Sequence, residues 1–474
     1  MSSQQVNDSR SLSRDIGLFG AVSTVVAGTL GAGLFVTLGT ASSTTGPSVI
    51  FVVVLSGVLA MSIALNYGWM ATIFPAAAGS YAYVSRTFDN RLPGFLVTWS
   101  KWLGYMAADA VLALGFGSYL QVFYPSVDAA LAGFGLLTVL FLVNLVGSKG
   151  YSVSQNAIFA FLILSILVLV IPGTVSIDTA NYQPFFTGGA DGFFAAAVPL
   201  FYAYIGIAVA GQMGAEVKNP SRNLPLAMAG GTAILIVLYV WTAAVIYGVV
   251  GDYTVLANSA RPLATAAEVF LGESGTAIVA VGGLLATASS VHAVMAAGIK
   301  MPYSWAWDEV FPKQFSAVSQ RFGTPHWSLV TLYLVASGLT FWSSGLDQAI
   351  AIATFSYLIA YCAVSITVLY VLVTGSNLAE QAGFDGGAVL WLTALVGALG
   401  SGALLTEAYK GSLGIYVPWV GVGLGVFGLY WYLGKQRGHD VEAILATLPG
   451  VPSDEYDPVI RGDDSAVRGG ASDD

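Results

Sequence analysis

Long apolar runs alternate with short polar breaks along the chain, and about twelve of the runs reach the ~20 residues an α-helix needs to cross a hydrocarbon core. They fall at 16–38, 47–73, 92–123, 127–147, 153–173, 193–213, 227–251, 275–300, 326–343, 346–373, 386–407 and 412–434. Prolines mark several borders, at Pro47, Pro75, Pro125 and Pro172. Runs that are apolar on all sides predict helices buried in lipid and in one another. Two runs are interrupted from within. "AGTLGAGLFVTLG" at 27–39 puts Gly28, Gly31, Gly33 and Gly39 into the first span. "PLFYAYIGIAVAG" at 199–211 puts Pro199 and Gly206 beside Phe201, Tyr202 and Tyr204 in the sixth.

Composition narrows the class. Of 474 residues, 56% are hydrophobic and 9% charged, and the mean hydropathy is +0.75. No soluble fold hides that much apolar surface, so an all-α polytopic membrane protein is expected. A single cysteine, Cys362, and three scattered histidines (His292, His326, His439) exclude a disulfide framework and a Cys/His metal cluster. There is no G-x-x-x-x-G-K-[ST] phosphate loop, no catalytic cluster and no basic run interleaved with aromatics. ATP hydrolysis, membrane-enzyme chemistry and nucleic-acid binding are therefore not expected, and the partners are lipid and a small molecule.

Charge sets the orientation. With a cytoplasmic N-terminus, the inner loops hold Arg10, Arg14, Arg86, Arg91, Lys149, Lys218, Arg222, Lys300, Lys313 and Arg321, and Lys435 and Arg437 follow the last span. The outer loops hold only Arg261 and Lys410. This asymmetry predicts an even number of spans with both termini inside. The net charge of −9 comes largely from the tail, where Asp440, Glu442, Asp454, Glu455, Asp457, Asp463, Asp464, Asp473 and Asp474 face Arg461 and Arg468. So acidic and apolar-poor a segment predicts a solvated, disordered end.

The first-span glycines read G-x-x-G-x-G with no βαβ unit around them, which removes the dinucleotide reading. Two readings remain. Small residues let membrane helices approach closely. Alternatively, glycines that each weaken a helix by roughly 1 kcal/mol mark a break, tolerated at mid-membrane where freed backbone groups line a cavity or meet a ligand. The break in span six occupies the corresponding place in a second five-span half, the arrangement of inverted-repeat transporters.

Four segments resemble the amino acid–polyamine–organocation permeases: "GTLGAGLF" at 28–35, "FPAAAGSYAYV" at 74–84, "AEVKNPSRNLPLAM" at 215–228 and "MPYSWAWDEVFP" at 301–312. The resemblance runs from about Arg14 to Lys435 and implies a LeuT-like fold with two inverted five-helix repeats, broken first and sixth spans, and two peripheral helices. The implied division is a cytoplasmic tail at 1–15, a first repeat at 16–173, an extracellular linker at 174–192, a second repeat at 193–373, peripheral spans at 386–434 and an acidic cytoplasmic tail at 435–474. The implied activity is secondary-active amino acid transport across the plasma membrane by alternating access, as symport; exchange, uniport and amino acid sensing without transport stay open.

The resemblance also implies a site. The substrate α-carboxylate is expected at the amides of Gly31, Ala32 and Gly33. The α-ammonium is expected at carbonyls near Thr29, Tyr202 and Ile205, beside Gly206, with Tyr202 as a gate. Relatives that carry cationic substrates have a carboxylate just after the span-six glycine. Here those positions are Ile207, Ala208 and Val209, which implies a neutral amino acid.

No cofactor is expected beyond a coupling ion. In sodium-coupled relatives a span-eight hydroxyl pair faces the break in span one; the matching oxygens are the carbonyls of Ala27, Leu30 and Ala286 and the hydroxyls of Ser289 and Ser290. Such an all-oxygen set suits a hard cation, although membrane-helix hydroxyls, Thr287 included, also bond back to their own helix. Span five lacks the lysine of some proton-coupled members, which favours Na+ over H+.

Asp109, in the middle of span three, is a candidate proton relay, cation ligand or structural hydrogen-bond partner. Lys101 is expected to snorkel toward the cytoplasmic interface. His292 is open between a packing residue and a pH sensor. Glu216, Lys218, Asn219 and Arg222 are expected to anchor a cytoplasmic gate. Two positions depart from the family pattern: Trp69 stands where an acid is usual, and Trp307-Asp308 where an Arg-Asp pair is usual.

Overall fold

The computed structural model describes residues 12–146, 151–319, 322–342, 346–408 and 412–452. Arg10, Lys149, Arg321 and Lys410 of the charge pattern, most of the N-terminal tail, and the acidic tail from 453 onward lie outside the described residues. The chain is helical, with no strand among the described residues. In order it forms α1 (Leu18–Ala32), a π-helical segment (Gly33–Thr37), α2 (Leu38–Thr45), α3 (Val49–Ile73), α4 (Gly79–Thr87), α5 (Arg91–Leu120), α6 (Ala129–Val146) and α7 (Tyr151–Val175). It continues with α8 (Gly189–Ala195), α9 (Ala197–Tyr202), a 3₁₀ turn (Ile205–Ala208), α10 (Val209–Gln212), α11 (Pro220–Val249), α12 (Tyr253–Ala257), α13 (Pro262–Phe270) and α14 (Gly272–Gly298). Last come α15 (Lys300–Trp307), α16 (His326–Trp342), α17 (Leu346–Thr374), α18 (Gly387–Ala408), α19 (Leu413–Gln436) and α20 (Val441–Leu445).

Helices cover all of the predicted apolar runs. Among the described residues, eight helical stretches are long and apolar enough to cross a membrane, or nine when the bent pair Gly189–Tyr202 and Ile205–Gln212 is taken as one. One of these, Leu18–Ile73, is 56 residues long, more than twice what one crossing needs. It folds back at Gly46–Ser48, where Gly46 takes φ 61°, a left-handed conformation that suits glycine, and Pro47 starts the next helix.

The packing follows from residue size and polarity. α3 lies against α11, α5 against α17 and α14, and α1 against α14 and α11. α14 also meets α7, and α9 meets both α3 and α17. α18 covers α3 and α17, while α19 leans on α5 from outside. Large apolar side chains such as Leu131, Val237, Leu334, Leu399, Val422 and Leu429 point outward, the inverse of a soluble protein and the face lipid requires. Tyrosines, serines, threonines, Lys101 and Asp109 are buried between helices instead.

The two interrupted spans differ from each other. Span six is broken as the sequence predicts, bending by 40° between α9 and the 3₁₀ turn. Span one is not unwound. It passes through one π-helical turn at Gly33–Thr37 and continues as α2. Such a turn shifts the hydrogen-bond register without exposing a stretch of backbone.

The end of the chain also departs from expectation. The tail from 439 to 452 is not a solvated coil: Asp440 caps α20 by accepting from Ala443 N (3.1 Å), and Leu445, Leu448 and Val451 are buried.

Candidate functional site

The glycines of span one and the break of span six meet. A Cβ on Gly206 would lie 2.4 Å from Thr29 Oγ1 and 2.9 Å from the Gly28 carbonyl oxygen; one on Gly33 would lie 2.5 Å from the Ala203 carbonyl oxygen. One on Gly31 would lie 2.1 Å from the Ala286 carbonyl oxygen of α14. No side chain fits in these gaps, so backbone meets backbone across three spans. The close-packing reading of the span-one glycines therefore holds.

Hydroxyls bind the junction. Ser290 Oγ donates to the Ala27 carbonyl (2.8 Å) and accepts from Gly31 N (3.1 Å). Tyr239 OH, from α11, is shared between the carbonyls of Thr29 (3.1 Å) and Ala203 (3.0 Å). Tyr361 OH, from α17, donates to the Ile205 carbonyl, and Tyr202 OH reaches the Ala108 carbonyl of α5 at 3.4 Å. Tyr239 and Tyr361 were not singled out from the sequence, because nothing in their local pattern separates them from core tyrosines.

The backbone groups expected to meet the substrate already have partners within the protein. Neither the Gly31 nor the Gly33 amide is free: the first bonds Ser290, and the second donates to the Leu30 and Thr29 carbonyls. Ala32 continues the helix between them. The Thr29 and Ile205 carbonyls are likewise engaged by tyrosines, though each keeps a second lone pair.

The three span-eight hydroxyls separate cleanly. Thr287 bonds back to the Gly283 carbonyl (2.8 Å), Ser290 crosses to span one, and Ser289 Oγ is buried with no partner.

Two ionisable side chains are buried between the helices. Asp109 is fully buried and neither carboxylate oxygen has a hydrogen-bond partner; Tyr105, Tyr202 and Tyr357 lie near it. Lys101 does not snorkel. It too is fully buried, with Nζ bonded to Ser80 Oγ (3.0 Å) and near Tyr67 OH (3.4 Å). The rings of Tyr67, Tyr105, Tyr357 and Tyr361 stand 4.9–5.9 Å from it. Gln212 at the end of α10 bonds the same Ser80 (3.0 Å), which links the cage to span six.

The end of the bundle that carries the basic residues is shut by polar contacts. Arg86 forms a two-pronged ion pair with Asp308, its Nη2 lying 2.7 Å from Oδ1. Tyr81 OH donates to the same carboxylate (2.7 Å) and Arg91 to the Asp308 backbone carbonyl (2.8 Å). The arginine partner of Asp308 thus comes from α4, far away in sequence.

Of the predicted gate residues, Glu216 pairs with Lys300 (2.9 Å). The backbone of 216–218 zips to Ile16 through Ile16 N–Glu216 O (3.0 Å) and Lys218 N–Ile16 O (2.8 Å). Asn219 takes φ 45° to start α11, while the Lys218 and Arg222 side chains are exposed. Trp69 donates to the Phe384 carbonyl (3.3 Å), so it meets the linker before α18 and not this closure. His292 is hydrogen-bonded to Asn144 (3.0 Å), in keeping with a packing role.

A multi-pass bundle centred on a backbone junction, closed by an ion pair at one end, defines a membrane transport protein. Residues 16–429 match the amino acid permease family, and the chain belongs to it, within the amino acid–polyamine–organocation superfamily; its members are transporters of small-molecule substrates, not enzymes. It is 28% identical to the methylthioribose transporter of Bacillus subtilis over 351 residues, covering 70% of this chain and 75% of that one. It is 24% identical to the branched-chain amino acid permease BcaP of the same organism over 384 residues, covering 76% and 81%. It is 30% identical to cationic amino acid transporter 9, chloroplastic, of Arabidopsis thaliana over 278 residues, covering 54% and 48%.

Proposed function

We propose that this amino acid transporter is a secondary-active, cation-coupled symporter of neutral amino acids that works by alternating access at the junction of spans one and six. The chain is read as twelve spans in the plasma membrane, with the basic end of the bundle and both termini cytoplasmic. The first ten spans are read as two inverted five-span repeats. The packing supports this: if span n of one half matches span n + 5 of the other, the α5–α17 contact has its counterpart in α14–α7, and α1–α11 has its counterpart in α9–α3. α3–α11 and α5–α14 are their own counterparts.

The observation that carries the reading is the junction itself, where Ser290 and Tyr239 hold the backbone groups of span one that a zwitterion would need. On this reading the substrate carboxylate takes the Gly31 amide from Ser290, aided by the amides of Ala32 and Gly33 as the π-helical turn opens. The ammonium takes the second lone pairs of the Thr29 and Ile205 carbonyls, next to Gly206, while Tyr202 closes over the side chain. Ile207, Ala208 and Val209 are apolar and buried, so a cationic side chain at that wall would lack a counter-charge.

Sodium is the favoured coupling ion. Ala27 O and Ser290 Oγ are already adjacent, Ala286 O lies against Gly31, and Ser289 Oγ is buried without a partner; with Leu30 O these make an all-oxygen set. One observation favours a second reading, proton coupling: the carboxylate of Asp109 has no partner, and a neutral, protonated acid is what such a site accepts.

The test is uptake of each common amino acid into proteoliposomes with Na+ and H+ gradients imposed separately. Sodium coupling predicts that Ser290→Ala raises the sodium concentration for half-maximal uptake by roughly tenfold, the effect of about 1.4 kcal/mol from one lost ligand. Uptake insensitive to sodium in both proteins refutes it. Binding without accumulation under any gradient refutes transport and leaves a sensor.

A further inference from the structure

Beyond the last span, one short stretch touches several of the elements that must part if the cytoplasmic end is to open. Pro449 O accepts from Ala77 N (2.8 Å), in the turn after α3, and Gly450 O accepts from Leu12 N (3.0 Å), ahead of α1. Thr447 O accepts from Arg86 Nη2 (2.8 Å) and Nε (3.2 Å), on the guanidinium that also holds Asp308. Trp307 Nε1, at the end of α15, donates to Thr447 Oγ1 (3.1 Å). Gly450 sits at φ 81°, with its Cβ position 3.1–3.2 Å from Ala77, Ala215 and Leu12. Leu445, Leu448 and Val451 are buried beneath this stretch. Just before α20, His439 Nδ1 lies 2.5 Å from Glu309 Oε2.

We infer that residues His439–Val451 form an autoinhibitory latch that pins the cytoplasmic gate shut and must release for the transport cycle to turn. The inference rests on the alternating-access reading above. Three features carry it. Its hydrogen bonds join the segment before span one, the turn after span two, α4 and the end of α15, so these elements can part only if bonds to the latch break. Its strongest attachment is to Arg86, the cation of the gate ion pair, so the latch stabilises the same closed state. And it lies after α19, the last helix long and apolar enough to cross a membrane among the described residues, outside residues 16–429 that match the family. Asp440 and Glu442 on this stretch favour water, and the three buried apolar side chains oppose its release.

The test uses the full-length chain carrying Cys362→Ser and a reporter, Ala210→Cys, whose position in α10 is buried while the gate is shut. Inside-out vesicles are labelled with a membrane-impermeant maleimide. Leu448→Asp sets an acid in the buried seat and is expected to speed labelling at least about tenfold, from the apolar contact removed. Thr447→Ala loses the bond to Trp307 and keeps the backbone contacts, so it is expected to speed labelling about fivefold. Unchanged or slower labelling in Thr447→Ala overturns the latch, whether or not Leu448→Asp folds. A parent protein that transports no amino acid defeats the transport reading, and the labelling rates still decide whether the tail holds the gate.

Discussion

Gly31→Ala sets helix propensity against close packing, and the geometry decides which wins. On propensity alone the change should stabilise α1 by about 1 kcal/mol. The new methyl, however, would stand 2.1 Å from the Ala286 carbonyl oxygen, 2.4 Å from its carbonyl carbon and 2.7 Å from Ser290 Oγ. Two of these are backbone atoms of a long helix and cannot rotate away. Reaching the 3.4 Å of an ordinary contact requires α1 and α14 to separate by more than an ångström. That movement stretches both Ser290 bonds, now 2.8 and 3.1 Å, beyond hydrogen-bonding range.

Overpacking costs about 1–3 kcal/mol and two lost hydrogen bonds about 1 kcal/mol each. The net result is a loss of roughly 2–4 kcal/mol after the propensity gain. Gly230→Ala, in α11 where a Cβ meets nothing within 4 Å, should instead show the propensity gain alone. The assay is apparent melting temperature in detergent, beside uptake in proteoliposomes. Gly31→Ala is expected to lower both and Gly230→Ala to lower neither. A Gly31→Ala protein that melts no lower than the parent refutes the close approach of α1 and α14.

Asp308→Ala strands the fully buried Arg86 guanidinium and Tyr81 hydroxyl, and breaking one side of a buried pair costs about 3–5 kcal/mol; melting well below the parent is expected, and an unchanged melting curve would show the pair to be solvated. Tyr239→Phe removes the hydroxyl shared by Thr29 and Ala203 while keeping its ring against Tyr204. A loss of about 1 kcal/mol is expected, measured as lower thermal stability, and none would mean that the bridge does not tie span one to span six.

How much of this was legible differs from element to element. The apolar runs located the helices because lipid demands uninterrupted apolar length, a local property. The span-six break was visible in Pro199 and Gly206. The state of span one was not. Gly31 and Gly33 are compatible with an unwound segment or a π-helical turn, and the choice depends on what Ala286 and Ala203 place beside them.

Lys101 was misplaced for a similar reason: a lysine near a helix end normally snorkels, but rings from three helices and Ser80 enclose this one. The partner of Asp308, Arg86, lies far away in sequence and nothing local pointed to it. The tail was judged on its average composition, while Leu445, Leu448 and Val451 determine its fate.

Taken alone, then, the sequence determined the solvent: a chain this apolar, with charge gathered at one set of loops, has to be a helical membrane bundle. It also located where the bundle would be irregular, since glycine and proline act on the backbone of their own segment. Only the tertiary structure decided which buried groups found partners. Hydrogen bonds and ion pairs reach a few ångströms through space, and the residues they join here, such as Arg86 with Asp308, Tyr239 with Thr29, and Thr447 with Trp307, lie far apart along the chain.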